Sequence, residues 1–197
     1  MILMQPNVAT IRGVCDNFQA PQERTDDVYR IVEEAKSRSE ITVEEKKTMQ
    51  GTLLLGFYTE HGVFRLVVQA GLPIKGRLYI NGITEEEMMS NPLIRLFYGS
   101  IYLMGASGML RLYEEGVSRD IHFREGRIYE SNGLGEEKEL SNILVDQYID
   151  RQILEGRINY LLEKLNDCMI HNKEPHVHII KQELCLLTDQ WNELQNY

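Results

Sequence analysis

Pro92-Leu-Ile-Arg-Leu-Phe-Tyr-Gly-Ser-Ile-Tyr-Leu-Met104, then Gly105, then Ser107-Gly-Met-Leu-Arg-Leu-Tyr113, Arg119-Asp-Ile-His-Phe123 and Arg127-Ile-Tyr129, is the stretch whose reading decides the fold. Its first run places Leu93, Leu96, Phe97, Ile101 and Met104 on one face of a helix. Asn91 before Pro92 is a start signal: a capping side chain, then the residue whose missing N–H costs nothing at the first helical position. The later runs alternate, with Leu110 and Leu112, then Ile121 and Phe123, at every second place, as half-buried strands do. Glu114-Glu-Gly116 and Arg124-Glu-Gly126 each put a glycine where a hairpin needs positive φ. The order is therefore helix, three hairpin-linked strands, and the start of a second helix containing Leu140 and Ile143-Leu-Val145.

That arrangement, with Ser107-Gly-Met-Leu-Arg-Leu, Ile121-His-Phe-Arg-Glu-Gly-Arg-Ile128 and Ser131-Asn132 in sequence, resembles the bacterial PATAN-type domain. The family is known mostly as an accessory module in bacterial signalling proteins, so the resemblance implies interaction or regulation rather than catalysis. It covers about a quarter of the chain, residues 92–145. No receiver-like or kinase-like segment accompanies it, and residues 1–91 have no counterpart in the pattern.

Upstream, residues 1–24 show no sustained period and read as an irregular or extended arm. Thr25 then caps a predicted helix with Asp26 and Asp27 in its first turn and Val28, Ile31, Val32 and Ala35 inside, ending near Ser37 to Ser39. Ser37 to Gln50 is polar, and Thr42 with Glu45 suggests one helical turn. Thr52 to Thr59 and Val63 to Gln69, joined through Glu60-His-Gly62, read as an antiparallel hairpin apolar on nearly both faces, so that a helix on one side and a partner on the other would cover it. A third strand, Arg77 to Ile80, is closed by the turn signal Asn81-Gly82, and Thr84 with Glu87 caps a single helical turn.

Downstream, Leu154, Ile158, Leu161, Leu165 and Cys168 are spaced 4, 3, 4, 3, and Val177, Ile180, Leu184, Leu187, Trp191 and Leu194 are spaced 3, 4, 3, 4, 3. These are the a and d positions of two heptad seams, broken at His171-Asn-Lys-Glu-Pro175, and the short connection predicts an antiparallel helical hairpin. Gly156 weakens its first helix by about 1 kcal/mol relative to alanine. A hairpin with so narrow a stripe gains by packing on the sheet domain or a second copy. Leu154, Ile158, Leu161, Leu165, Ile180, Leu184, Leu187 and Trp191 are accordingly the expected partner or oligomer contact, with a homodimer as the default.

The charge balance narrows the function classes. Twenty-one Lys and Arg against thirty Asp and Glu give a net charge of −9, and no basic run offsets it, which argues against nucleic acid as a partner. The first six residues lack the charge and apolar length of a signal peptide, and no run approaches the ~20 apolar residues of a membrane span, so a cytoplasmic location without membrane contact is expected. Cys15, Cys168 and Cys185 are odd in number and widely spaced, and read as ordinary reduced thiols.

Candidate chemistry is sparse. His171, His176 and His178 cluster at the hairpin turn without the carboxylate and cysteine set of a metal site. The acidic pairs fall at helix starts or turns, where they favour the helix dipole. No GxxxxGK[ST] or GxSxG run exists, and Ser131-Asn-Gly-Leu-Gly135 lacks a following lysine. The ten tyrosines, Tyr98, Tyr102, Tyr113 and Tyr129 among them, offer either a partner surface or ordinary half-buried aromatics. No cofactor, metal or catalytic residue is expected.

The expected fold class is thus α+β: an antiparallel β-sheet with a crossing helix and a C-terminal antiparallel, coiled-coil-like helical hairpin. Its parts are an arm (1–24), a sheet domain (25–135) and the hairpin (136–197). The expected function is that of a cytoplasmic, bacterial or phage, non-catalytic interaction or regulatory protein whose protein partner the sequence leaves unknown. A structural or assembly protein that oligomerises through the hairpin is the alternative, and an enzyme with an unrecognised site ranks third.

Overall fold

The computed structural model describes residues 9–88, 90–131, 137–139, 151–171 and 174–195. Its fold class is α+β. Among the described residues nine antiparallel strands form one sheet: β1 (Ile11–Ala20), β2 (Thr42–Lys47), β3 (Leu53–Thr59), β4 (Gly62–Val68), β5 (Ile74–Ile83), β6 (Gly108–Glu114), β7 (Val117–Arg124), β8 (Arg127–Ser131) and β9 (Glu137–Glu139), in the order β2-β3-β4-β5-β1-β6-β7-β8-β9. The helices are α1 (Thr25–Lys36), α2 (Glu85–Met88), α3 (Pro92–Met104), α4 (Arg151–Ile170) and α5 (Glu174–Gln195). The chain divides into two compact units, Met1–Gln147 with the sheet and Tyr148–Tyr197 with α4 and α5.

Among the described residues, two meanders, β2 to β5 and β6 to β9, meet in the sheet through β1, which pairs with β5 on one side and β6 on the other. The expected irregular arm is therefore corrected: Ile11–Ala20 is the strand on which the sheet is centred. Its period was hidden by a bulge. Ile11, Gly13 and Cys15 point inward at every second place, but the register shifts between Cys15 and Phe18, so the next inward residues are Phe18 and Ala20. The extra residue of a bulge breaks alternation. The Asn17 side chain fills the gap, its Oδ1 accepting from the Met109 N–H at 2.9 Å.

Three more readings change. Thr42–Lys47 is not a helical turn but edge strand β2, paired with β3 in register Thr42↔Tyr58 to Lys47↔Leu53. Its charged side chains suit a sheet edge, where they discourage pairing with other chains, and they leave no alternation to read. Asn81-Gly82 does not end β5; the strand continues to Ile83 through an irregularity in its pairing with β1, and Gly82 takes φ 73°. Glu137–Glu139 is strand β9 rather than part of a hairpin beginning at 136, while the helix expected around Leu140 to Val145 lies outside the described residues.

The turns follow their chemistry. Glu115 and Gly116 have φ 42° and 84°, and Glu125 and Gly126 have φ 50° and 84°, the paired positive values of a two-residue hairpin loop matched to strand twist. Asn91 Oδ1 accepts from the N–H groups of Leu93 (3.0 Å) and Ile94 (3.2 Å) at the start of α3. Thr84 and Glu87 cap α2 reciprocally: the Thr84 N–H donates to Glu87 Oε2 at 2.9 Å and the Glu87 N–H to Thr84 Oγ1 at 3.2 Å. By contrast, Thr25 is not the cap of α1; Arg24 holds that position after a short 3₁₀ turn.

One sheet face makes the core. All five phenylalanines of the chain, Phe18, Phe57, Phe64, Phe97 and Phe123, form one connected aromatic cluster with ring centroids 5.3–6.0 Å apart, in which Phe97 of α3 meets Phe18, Phe64 and Phe123 of three strands. α1 packs its buried Val28, Ile31, Val32 and Ala35 beside α3. Arg24, 6% exposed, joins the helices: its Nη2 donates to the Leu103 carbonyl at 3.0 Å and lies 2.6 Å from Asp27. It thereby satisfies a carbonyl at the end of α3 that has no partner within the helix.

Candidate interaction surface

In the second unit, α4 and α5 pack against each other, and the expected contact residues fall on their packed sides. Leu154, Leu161, Ile180 and Leu187 are 1%, 2%, 6% and 5% exposed. These four are buried within the single chain. Ile158, Leu165, Leu184 and Trp191 are half-buried. Outward-facing apolar residues lie elsewhere: Leu162 and Met169, seven apart on α4, and Ile179 and Leu186, seven apart on α5, are all about half exposed.

The seam also carries an ion pair that apolar spacing did not show. Arg157, 2% exposed, donates through Nε (3.1 Å) and Nη2 (2.7 Å) to Glu183 Oε1. Both residues immediately precede seam positions, Ile158 and Leu184, the flanking places where coiled coils set interhelical charge pairs. At the hairpin turn, His171 Nδ1 lies 2.9 Å from the Asp167 carbonyl oxygen. Among the described residues no three His, Cys, Asp or Glu side chains gather as a metal site would need, and no helix is long and apolar enough to cross a membrane.

The first unit offers a different surface. Because directly opposed residues of antiparallel strands share a face, the pairings define rows across the side of the sheet away from α3. One row reads Lys46, Leu54, Val67, Lys75; the next Glu44, Gly56, Arg65, Arg77; the next Thr42, Tyr58, Val63, Tyr79, Val14, Arg111, Asp120. Leu54, Val67, Tyr79 and Tyr113 are 36–43% exposed, and Arg12, Arg65, Lys75 and Arg77 are exposed. Of the strands expected to be apolar on both faces, one face is buried and the other carries these partly exposed residues.

Arginine and tyrosine dominate this open face. The Arg12 guanidinium lies 5.9 Å from the ring centre of Tyr79 and 5.8 Å from that of Tyr113; Arg65 lies 5.9 Å from Tyr58, and Arg124 5.5 Å from Tyr129. Tyr113 and Tyr129 thus belong to the open face, whereas Tyr98 and Tyr102 are buried in α3. Gly56 permits the packing: a Cβ there would fall 2.5 Å from the Tyr58 ring, so any other residue displaces the aromatic. A shallow pocket results, lined by Glu44, Leu54, Gly56, Tyr58, Arg65 and Val67.

The cations of the face divide into two groups. Arg111 binds Asp120 with two bonds, 2.7 and 2.9 Å, which hold the Asp120 carboxyl below its ordinary value, and Arg124 binds Glu137 likewise at 3.0 and 2.7 Å. Arg65, Arg77 and Lys75, by contrast, have no acidic partner among the described residues, and Arg65 and Arg77 stand directly opposite each other. Like charges opposed across a strand pair are destabilising, by up to about 1 kcal/mol.

Set against known proteins, the chain matches no family model, no curated protein and no solved structure.

Proposed function

We propose that this is a non-catalytic interaction or regulatory protein of the bacterial or phage cytoplasm, acting through protein contacts, with the open face of its sheet as the contact surface. The observation that carries the reading is that face itself: a nine-stranded sheet with its core on one side and exposed Tyr, Arg, Leu and Val on the other. Tyr and Arg are the residues enriched at the centres of protein interfaces, where rigid rings and forked guanidiniums give much contact for little entropy. The likeness of residues 92–145 to a PATAN-type accessory module supports the same class. Affinity capture from native extract, with the wild-type chain and Arg65→Glu/Arg77→Glu as baits, tests it. Proteins retained by the first and lost by the second are expected; an identical set on both baits would refute the assignment of the face.

The exposed Leu162, Met169, Ile179 and Leu186 favour a second reading, self-assembly into a dimer or larger structure through the outer side of α4 and α5. Sedimentation velocity separates the two. A small fixed species agrees with an adaptor, and a ring or filament with an assembly protein.

A further inference from the structure

We infer that the open face from β3 to β1 docks an acidic protein segment whose carboxylates sit between Arg65 and Arg77 while its apolar or aromatic side chains lie on Leu54, Val67 and Tyr79. This rests on the contact role of the face and names the chemistry of the partner. Arg65 and Arg77 are opposed across β4 and β5, both exposed, with Lys75 two residues before Arg77 and on the same face. Among the described residues no acid makes an ion pair with them, although the bulge of β1 sets Asp16 across from Arg77. Glu44 is two strands from Arg65 with Gly56 between, roughly 10 Å across the sheet, and Asp16, in the bulge of β1, makes no ion pair among the described residues. A like-charge pair loses its repulsion when an anion enters, and a carboxylate between two guanidiniums accepts forked bonds from both. The apolar residues beside the pair give the same ligand somewhere to bury carbon.

Charge complementarity also selects among occupants. A second copy in symmetric contact would bring Arg12, Arg65, Lys75 and Arg77 near their own equivalents, which like-charge repulsion opposes. A nucleic-acid strand carries a phosphate at every nucleotide, whereas this face offers a short cationic island flanked by Glu44, Asp16 and Asp120 in a chain of net charge −9. Leu54 and Val67 have nothing to gain from a phosphodiester backbone. A segment mixing Asp or Glu with Leu or Tyr meets both features.

The test is fluorescence anisotropy with the full chain and three labelled probes of equal length: a peptide alternating Asp and Glu with Leu and Tyr, its Asn and Gln counterpart, and oligothymidylate. The acidic peptide should bind best, weaken as salt is raised, and weaken roughly tenfold or more on Arg65→Glu/Arg77→Glu. Arg65→Lys/Arg77→Lys keeps the charge without the fork and should be intermediate, and unchanged melting temperatures show that the variants fold. Tighter binding of oligothymidylate, equal binding of the neutral peptide, equal binding by the reversed variant, or no binding overturns the inference. If captured proteins still depend on Arg65 and Arg77 while the acidic peptide fails, only the anionic partner is wrong; if capture is also indifferent to these arginines, the interaction face is wrong too.

Discussion

Cys15 and Cys185 show how far position sets the chemistry of one residue type. Cys15 sits fully buried in β1, and burial pushes its thiol up to about 11, because a thiolate there would lose its hydration. Cys185 is exposed on α5. A maleimide added to the native protein should therefore modify Cys185 quickly and leave Cys15 untouched until unfolding, as peptide mass mapping would show; early labelling of Cys15 would contradict the central placement of β1. Carboxyl groups make the second prediction at this scale. The Asp120 carboxyl is lowered first by its hydrogen bond from Arg111, and that of Glu87 first by the Thr84 N–H. Groups held lower in the folded state add stability that is present above their unfolded values, 3.8 and 4.5, and lost as pH falls through the folded ones. The melting temperature should drop below about pH 4, and Asp120→Asn should flatten that acid limb; an unchanged limb would mean that the pair contributes nothing.

Helix α3 was the most legible element, since its cap, its proline and its inner face are all local signals, and the structure buries every residue the spacing selected. β1 and β2 were not legible, for opposite reasons: a bulge breaks the alternation of the first, and the second lies at an edge where no face needs to be apolar. The link between α1 and α3 was equally hidden, because Arg24 and Leu103 meet only in space. Arg24→Ala should cost about 3 kcal/mol, since it removes the buried guanidinium beside Asp27 and leaves the more exposed Arg30, 3.8 Å away, as a weaker partner, whereas Arg24→Met/Asp27→Leu should cost clearly less. Urea unfolding with unchanged slope measures both, and equal losses would show that packing rather than charge explains Arg24. In the second unit, Leu161→Ala or Leu187→Ala should cost about 2–5 kcal/mol. Leu162→Ala, one place out of the seam, should cost under about 0.5 kcal/mol. Thermal melts with the three alike would refute the heptad assignment.

At the scale of the molecule, periodicity located apolar seams but not surfaces. Leu154, Leu161, Ile180 and Leu187 repeat at heptad spacing, and repetition marks what a helix buries. The open face has no such signature: Arg12, Arg65, Arg77, Tyr58 and Tyr79 are scattered over four strands, and only the pairing order β3-β4-β5-β1 brings them together. Net charge misled in the same way, because a total of −9 conceals a local excess of cations. The claim that this face is where the protein meets its partner is tested most directly by a ¹⁵N-correlated NMR titration of the full chain with the acidic peptide. Shift changes should be confined to β3, β4, β5, β1 and β6 and be largest around Gly56, Arg65 and Arg77; changes confined to α4 and α5, or none at saturating peptide, would refute that claim.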